Sequence, residues 1–330
     1  MSPPESPQPA SPPFDNDQAD LILRSTDGVD FHVFKTILSL ASQPLADKVN
    51  NSEDEHDGVR VVKFAQDSKV LDFVLRHLYP VPPPATVTLP DVRLLAEFAE
   101  DFEVNALESM IMRYLKDALE DDPIGVYSIA VTYDHKDIAA KAARLSLQSP
   151  ISALQSSELE VATAEPYSEL IKYHAACGDA ASAVAFDRKW FPPWGQWGRL
   201  IWTSNHDGSS NIRCSNCAAP DFVNEPPVQM FWPQTQDRDT VPSDDPLKRT
   251  RFAPWRLWNY LQRSSSVLAH HPTSKAVTGE DFVMKSPFDC SNCPLGTREN
   301  ILEFSRIFAM EVEKAIEKVS VSIWFVGPAP

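Results

Sequence analysis

The stretch ADLILRSTDGVDFHVFK, residues 19–35, decides how the chain begins to fold. Two short apolar runs in it lie on either side of Asp27-Gly28. Because this dipeptide tolerates the positive φ of a tight hairpin turn, we predict two antiparallel strands at about residues 20–25 and 29–34.

The next segments alternate between helical and extended patterns. TILSLASQPLADKVN predicts a short helix that carries Ile37, Leu38 and Leu40 and that Pro44 ends. The polar run NNSEDEHDG predicts an exposed loop, and VRVVKF predicts a third strand. Asp67 then precedes a helical apolar pattern that it can cap, and this pattern stops before YPVPPP.

Two further helices are expected beyond this break. After a brief strand at VTL, Pro90 favours a helix start, and the next turns place four apolar side chains on one face. A second helix follows with its own inward face. The residues of the two faces are Leu94, Leu95, Phe98 and Phe102, and Val104, Leu107, Ile111 and Leu115.

Residues 1–18 are rich in proline and carry few apolar side chains. Such a segment buries too little surface to offset its ordering entropy, so we expect a disordered tail. It shows neither the positive start nor the apolar run of a signal peptide, and no later stretch approaches a membrane span of roughly 18 apolar residues. We therefore expect a soluble protein of the cytoplasm or nucleus, with cysteines as thiols or metal ligands.

Length, charge and the absence of known site motifs limit the kinds of function that we expect of this chain. The chain has 330 residues, enough for two or three folding units, and a formal net charge of −16. An acidic surface repels a phosphate backbone, so we expect no binding to nucleic acid. The sequence has no phosphate-binding glycine loop, no Gly-x-Ser-x-Gly elbow and no His-Glu-x-x-His motif, and we do not expect an enzyme.

The order of elements resembles the BTB/POZ domain. The matching residues are Asp20-Leu21-Ile22-Leu23, Phe31-His32-Val33 with Lys35, Ile37-Leu38-Ser39 and Leu78-Tyr79-Pro80. The chain is most similar to the large BTB group of mushroom-forming fungi, through DGVDFHVFKTILSLAS, LRHLYPVPPP, DDPIGVYSIA and IKYHAACGDAA. Phe34 departs from the pattern, since many BTB domains carry His there.

The resemblance implies an α+β fold in which a BTB/POZ domain over residues 19–120 follows the tail over residues 1–18. Asp122-Pro123 starts an alanine-rich helical extension over residues 121–186. Residues 187–330 form a Cys/Trp-rich module, because all eight Trp and four of the five Cys lie there. A terminal amphipathic helix from near Thr297 runs into a strand at VSVSIWF.

The tetrapeptide CSNC occurs twice, at Cys214–Cys217 and at Cys290–Cys293. Two Cys-x-x-Cys turns supply the four thiolates that tetrahedral Zn²⁺ prefers, but the interval between these turns exceeds the roughly 15–20 residues of compact zinc modules. From spacing alone, a shared structural zinc site, unpaired thiols and a redox couple all stay open. The resemblance favours zinc, because many of these fungal proteins have a similar C-terminal region.

A BTB domain implies a protein-interaction scaffold that forms a homodimer and recruits partners. We expect the dimer interface at Ile37, Leu38 and Leu40. Alternatives are a substrate adaptor of a cullin-type ubiquitin ligase and a transcription cofactor. A cullin is the weaker candidate partner, because LADKVNNSEDEHDG has no apolar residue two positions before a Glu. His174-x-x-Cys177 has a metal-like interval, but its helical, apolar context favours a packed histidine and a buried thiol.

Overall fold

The computed structural model describes eight stretches of the chain: residues 7–56, 58–159, 164–187, 190, 229–231, 250–252, 255–284 and 296–319. The chain divides into two compact units. Unit 1 contains Met1–Leu145, Gln155–Tyr167 and Ile323–Pro330, and unit 2 contains Ser146–Leu154 and Ser168–Ser322. Strands and helices both contribute to the described residues, which gives an α+β protein.

A five-stranded sheet forms one layer of unit 1, in the order β1-β3-β2-β5-β4. The strands are β1 (Gln8–Pro9), β2 (Leu21–Arg24), β3 (Val29–Val33), β4 (Glu55–His56) and β5 (Val59–Lys63). β2 pairs antiparallel with β3 and parallel with β5, and β1 pairs parallel with β3. The hairpin and the third strand are confirmed, while β4 occupies part of the predicted exposed loop.

The hairpin turn is built as its sequence requires. Gly28 has a φ of +81°, a region that glycine enters without steric cost. Beside the turn, the Arg24 guanidinium donates two hydrogen bonds of 2.7 Å to the Asp30 carboxylate. Such a bidentate ion pair fixes the register of β2 against β3.

The expectation of a disordered tail is wrong for residues 7–18. β1 pairs with β3, and Phe14 is 1% exposed. The Phe14 ring lies edge-on to Tyr79 at 5.4 Å and tilted against Phe31 at 6.1 Å. One aromatic side chain and a row of main-chain hydrogen bonds therefore order a segment whose composition alone indicates disorder.

Helices cover the sheet of unit 1. They are α1 (Lys35–Ala41), α2 (Gln43–Asn50), α3 (Ser68–Leu78), α4 (Leu89–Asp101), α5 (Glu108–Asp117), α6 (Pro123–Thr132) and α7 (Lys136–Ser146). Pro44 lies in the first turn of α2, so it begins a second helix as well as ending the first. The predicted strand at VTL is wrong, because Thr88 instead opens α4 as its capping residue.

The predicted caps of these helices are confirmed, and the predicted apolar faces are confirmed in full for α5 and in part for α4. The Asp67 carboxylate accepts the Val70 N–H at 2.9 Å, and the Asp122 carboxylate accepts the Gly125 N–H at 2.8 Å. All four residues of the predicted α5 face are buried. On α4, Leu95 and Phe98 are buried, while Leu94 and Phe102 are partly exposed. Side chains from these helices and from the sheet form the core of unit 1.

The predicted boundary at residue 120 does not separate the two units. Unit 1 continues to Leu145, so α6 and all but the last residue of α7 belong to it. The 3-10 turn Ser157–Leu159 carries Glu158, whose side chain is 1% exposed and lies 3.0 Å from the Arg93 guanidinium. Burial raises the pKa of Glu158, and Arg93 opposes that shift. This ion pair, buried on the Glu158 side, ties the 3-10 turn Ser157–Leu159 to α4.

The described part of unit 2 is mainly helical. Its helices are α8 (Ala164–Ala183, from Ser168 onward), α9 (Trp255–Leu268), α10 (Lys275–Thr278), α11 (Glu280–Met284) and α12 (Gly296–Glu317). β6 (Gln229–Phe231) and β7 (Thr250–Phe252) form an antiparallel pair. The predicted terminal helix is confirmed, with Phe304, Phe308 and Val312 buried. The strand predicted at VSVSIWF lies outside the described residues.

Aromatic rings build the core of unit 2. Tyr260 on α9 donates its hydroxyl to the Val277 carbonyl at 2.9 Å, and its ring lies 5.8 Å from Phe308. The Trp190 ring lies 5.7 Å from Phe304 and 5.8 Å from Phe308. Trp190, which is partly exposed, thus packs against the aromatic side chains of α12. Among the described helices of both units, none has the length and apolar character needed to cross a membrane.

Candidate interaction surface

The α1 surface consists of Phe34, Ile37 and Leu40. Leu40 is 82% exposed, Phe34 is 37% exposed and Ile37 is partly exposed. Leu40 is the most exposed large apolar side chain of the described residues. Lys35 is the one charged residue of α1, so the helix presents a nearly uncharged, apolar face. Such a face favours contact with another apolar surface.

The three predicted interface residues differ in their exposure to solvent. Leu38 is 1% exposed and belongs to the core of unit 1. It supports α1 from beneath and is not accessible to a second protein. Ile37 and Leu40 lie toward solvent, and Phe34, just before α1, is also exposed although its sequence pattern does not predict it as an interface residue.

Two side chains position the start of α1. The Tyr79 hydroxyl accepts the Phe34 N–H at 2.7 Å, and the Asp20 carboxylate accepts the Lys35 N–H at 2.7 Å. Phe34 itself supplies no side-chain cap. Burial raises the pKa of Tyr79, so the phenol stays protonated over the physiological range. Residues distant in sequence therefore satisfy amides that a helix start leaves unpaired.

The end of α1 is fixed by Ser42. Its N–H donates to the Leu38 carbonyl at 3.2 Å, and its hydroxyl oxygen accepts the Leu45 N–H at 3.2 Å. The same hydroxyl donates to the Phe102 carbonyl. Ser42 thus ends α1, caps α2 and fastens their corner to the end of α4. Because both ends are held, the α1 surface is rigid before any partner binds.

The predicted zinc ligands Cys214, Cys217, Cys290 and Cys293 all lie outside the described residues. Within the described ranges, no group of three or more His, Cys, Asp or Glu side chains could hold a metal ion. The metal-like interval at His174 and Cys177 is a core feature, as expected: the two residues are 5% and 0% exposed.

The acidic loop after α2 begins behind a buried residue. Val49, at the end of α2, is 0% exposed. Glu53 and Asp54 follow it in an exposed segment, and Lys63 pairs with Asp54 at 2.7 Å. This arrangement presents acidic groups without an apolar anchor beside them.

Sequence reasoning missed the socket of Phe14. The available signal is a lone phenylalanine among prolines, PPF, at residues 12–14. An isolated large apolar residue in a polar segment indicates an anchoring contact, although it does not indicate where the contact is.

No family model matches the chain, and none of the curated proteins is similar to it.

Proposed function

We propose that the protein is a protein-interaction scaffold that self-associates through the α1 surface of a BTB/POZ-like unit 1 and recruits partners through the rest of the chain. The observation that carries the proposal is the 82% exposure of Leu40 on a helix whose two ends are both held. An apolar side chain on a rigid support loses little conformational entropy when it is buried by a partner. The order of strands and helices around it supports the BTB/POZ assignment.

A symmetric dimer fits this surface. In a two-fold contact the same patch faces itself, so an uncharged apolar patch meets no like charge. A stable interface buries roughly 1,600 Å² in total, more than three side chains provide. Residues around the α1 surface must therefore contribute, with Leu40 near the centre.

The proposal includes a structural zinc in the Cys/Trp-rich module, held by Cys214, Cys217, Cys290 and Cys293. Four cysteine thiolates leave no open coordination position, so this metal would stabilise the fold and would not take part in catalysis. Paired Cys-x-x-Cys turns in an otherwise tryptophan-rich segment support this part of the proposal.

The adaptor function is less favoured. Interfaces depend on a few buried anchors, and an absent anchor costs about 2 kcal/mol or more. Since Val49 is buried, no apolar side chain of this loop supplies such an anchor ahead of Glu53. We therefore expect weak or no cullin binding, with a dissociation constant above about 1 μM in a titration against a cullin N-terminal domain.

The test is the mass of the full chain in solution. Light scattering over a range of micromolar concentrations should give a dimer for the wild type and a shift toward monomer for Leu40→Glu. Placing a carboxylate in an apolar interface should weaken association at least tenfold, a change of about 1.4 kcal/mol.

The matched control is Met310→Glu, which changes another exposed apolar residue, 55% exposed on α12. It should leave the dimer intact. A wild type that is monomeric at all these concentrations, or equal weakening by both substitutions, contradicts the proposal.

A further inference from the structure

Residues 79–88, here called the proline loop, connect α3 to α4 and have the sequence YPVPPPATVT. A proline fixes its own φ at about −65°, and the residue before a proline is confined to extended or polyproline II backbone. Both restraints act on Pro82 and on Pro83, because each of them is followed by another proline. Local sterics therefore favour polyproline II backbone at the centre of the loop.

The exposure of the proline loop repeats with the period of such a helix. Val81, Pro84 and Val87 are partly exposed, and all the residues between them are exposed, including Pro82 and Pro83. This interval equals the three-residue turn of a polyproline II helix. One side of the loop therefore lies toward the protein, and the side with Pro82 and Pro83 lies toward solvent.

Both ends of the proline loop are fixed within unit 1. At its start, the extended residue Tyr79 donates its N–H to the Leu75 carbonyl at 2.9 Å, and its hydroxyl accepts the Phe34 N–H. At its end, the Thr88 hydroxyl donates to the Asp91 carboxylate at 2.6 Å, and the same carboxylate accepts the Thr88 N–H at 2.9 Å. A loop held at both ends loses little conformational entropy when a partner binds it.

The middle of the proline loop offers hydrogen-bond acceptors and apolar rings. Among the described residues, no main-chain N–H donates to the carbonyls of residues 81–86. Polyproline II backbone makes no internal hydrogen bonds, so these carbonyls can accept hydrogen bonds from a partner. No residue of the loop is charged. Flat proline rings beside such carbonyls fit Trp and Tyr, whose side chains combine an apolar ring with an N–H or O–H donor.

We propose that the proline loop is a docking site for a partner domain whose aromatic-lined groove binds polyproline II segments, the class that includes WW and SH3 domains. Pro82 and Pro83 enter the groove, and the loop carbonyls accept hydrogen bonds from its Trp and Tyr side chains. Because the loop has no charge, apolar contact and these hydrogen bonds supply the affinity. The site does not use the α1 surface, so it does not depend on self-association of the chain.

The test is a titration of the full chain into an isotope-labelled WW domain and, separately, into an isotope-labelled SH3 domain. Chemical-shift changes in the aromatic groove of at least one domain should give a dissociation constant below about 1 mM. Changing Pro82→Ala together with Pro83→Ala should weaken this binding at least tenfold. The matched control, Pro12→Ala together with Pro13→Ala, changes another exposed pair of prolines and should retain the binding, as should Leu40→Glu.

The excised peptide YPVPPPATVT gives a second measurement. It should bind the same groove more weakly than the full chain does, because its ends are not held. If the chain with both loop substitutions does not fold, the wild-type peptide and a peptide with Pro82→Ala and Pro83→Ala replace the two chains in the comparison. The proposal is overturned if the full chain binds neither domain, if the loop substitutions leave binding unchanged, or if only the peptide binds.

Discussion

His174 is a buried titratable residue in the core of unit 2. Its Nε2 lies 2.8 Å from the Ser146 hydroxyl, and its side chain contacts Tyr173 edge-on at 6.5 Å. Burial lowers the pKa of His174 to about 4, and the charge of His271 adds to that shift. The neutral imidazole is thus the form that the folded state favours.

We expect unit 2 to lose stability as the pH falls from about 6.5, the pKa of an unfolded histidine, toward 4. Across that window the unfolded state binds a proton that the folded state binds poorly, so acid favours unfolding. One pKa unit corresponds to about 1.4 kcal/mol, so the shift from 6.5 to about 4 sets an upper limit of about 3.5 kcal/mol on the loss of stability. The measurement is the thermal midpoint of unit 2 as a function of pH.

His174→Gln keeps a polar partner for Ser146 and removes the titrating group, so it should flatten this pH dependence. The control is His270→Gln, which changes the exposed histidine next to His271 in the sequence. This variant should leave the pH dependence unchanged. Identical pH profiles for the wild type and His174→Gln would show that His174 does not contribute.

Two glycines of unit 2 differ in the space around them: Gly178 lies against another segment and Gly279 does not. A Cβ added at Gly178 on α8 would meet the main-chain carbonyl of Ala269, just beyond the end of α9. A backbone atom cannot turn aside as a flexible side chain can. Gly279, between α10 and α11, has no atom within 4 Å of such a Cβ, and its φ is −58°.

Gly178→Ala should destabilise unit 2 by about 1–3 kcal/mol, because overpacking at a rigid contact outweighs the gain in helix propensity. Gly279→Ala is the matched control and should change the free energy of unfolding by less than about 0.5 kcal/mol. Urea unfolding of both variants checks this. Stabilisation by Gly178→Ala would mean that α8 and the end of α9 can separate without cost.

At the scale of the whole molecule, the two units have different means of stabilisation. Unit 1 has a sheet, a continuous apolar core and the buried Arg93–Glu158 pair. The described part of unit 2 combines helices with aromatic contacts, and the proposed zinc ligands fall within the residues of this unit. A metal in unit 2 would therefore couple its stability to zinc while leaving unit 1 independent.

Purified protein should contain about one zinc per chain, the stoichiometry of a single four-cysteine site. A chelator should lower the thermal midpoint of unit 2 and leave that of unit 1 unchanged, which metal analysis and calorimetry can follow together. Cys217→Ser should abolish metal binding, whereas Cys177→Ala, outside both turns, should retain it. Well under one zinc per chain in the wild type contradicts the site.

Several local elements follow from the sequence alone. Asp27-Gly28 predicts the hairpin, Asp67 and Asp122 predict helix starts, and the apolar spacing before residue 319 predicts the last helix. Each is confirmed, because a turn or a cap depends on residues a few positions apart, and a helix face depends on the helical period.

The tertiary structure decided which of these residues are available for function. α1 has seven residues, too few for a period that separates buried Leu38 from exposed Leu40. Phe14 becomes ordered only because Phe31 and Tyr79 form its socket, and Glu158 becomes a core residue only because Arg93 faces it. Contacts between residues distant in the sequence depend on how elements pack, which no local pattern contains.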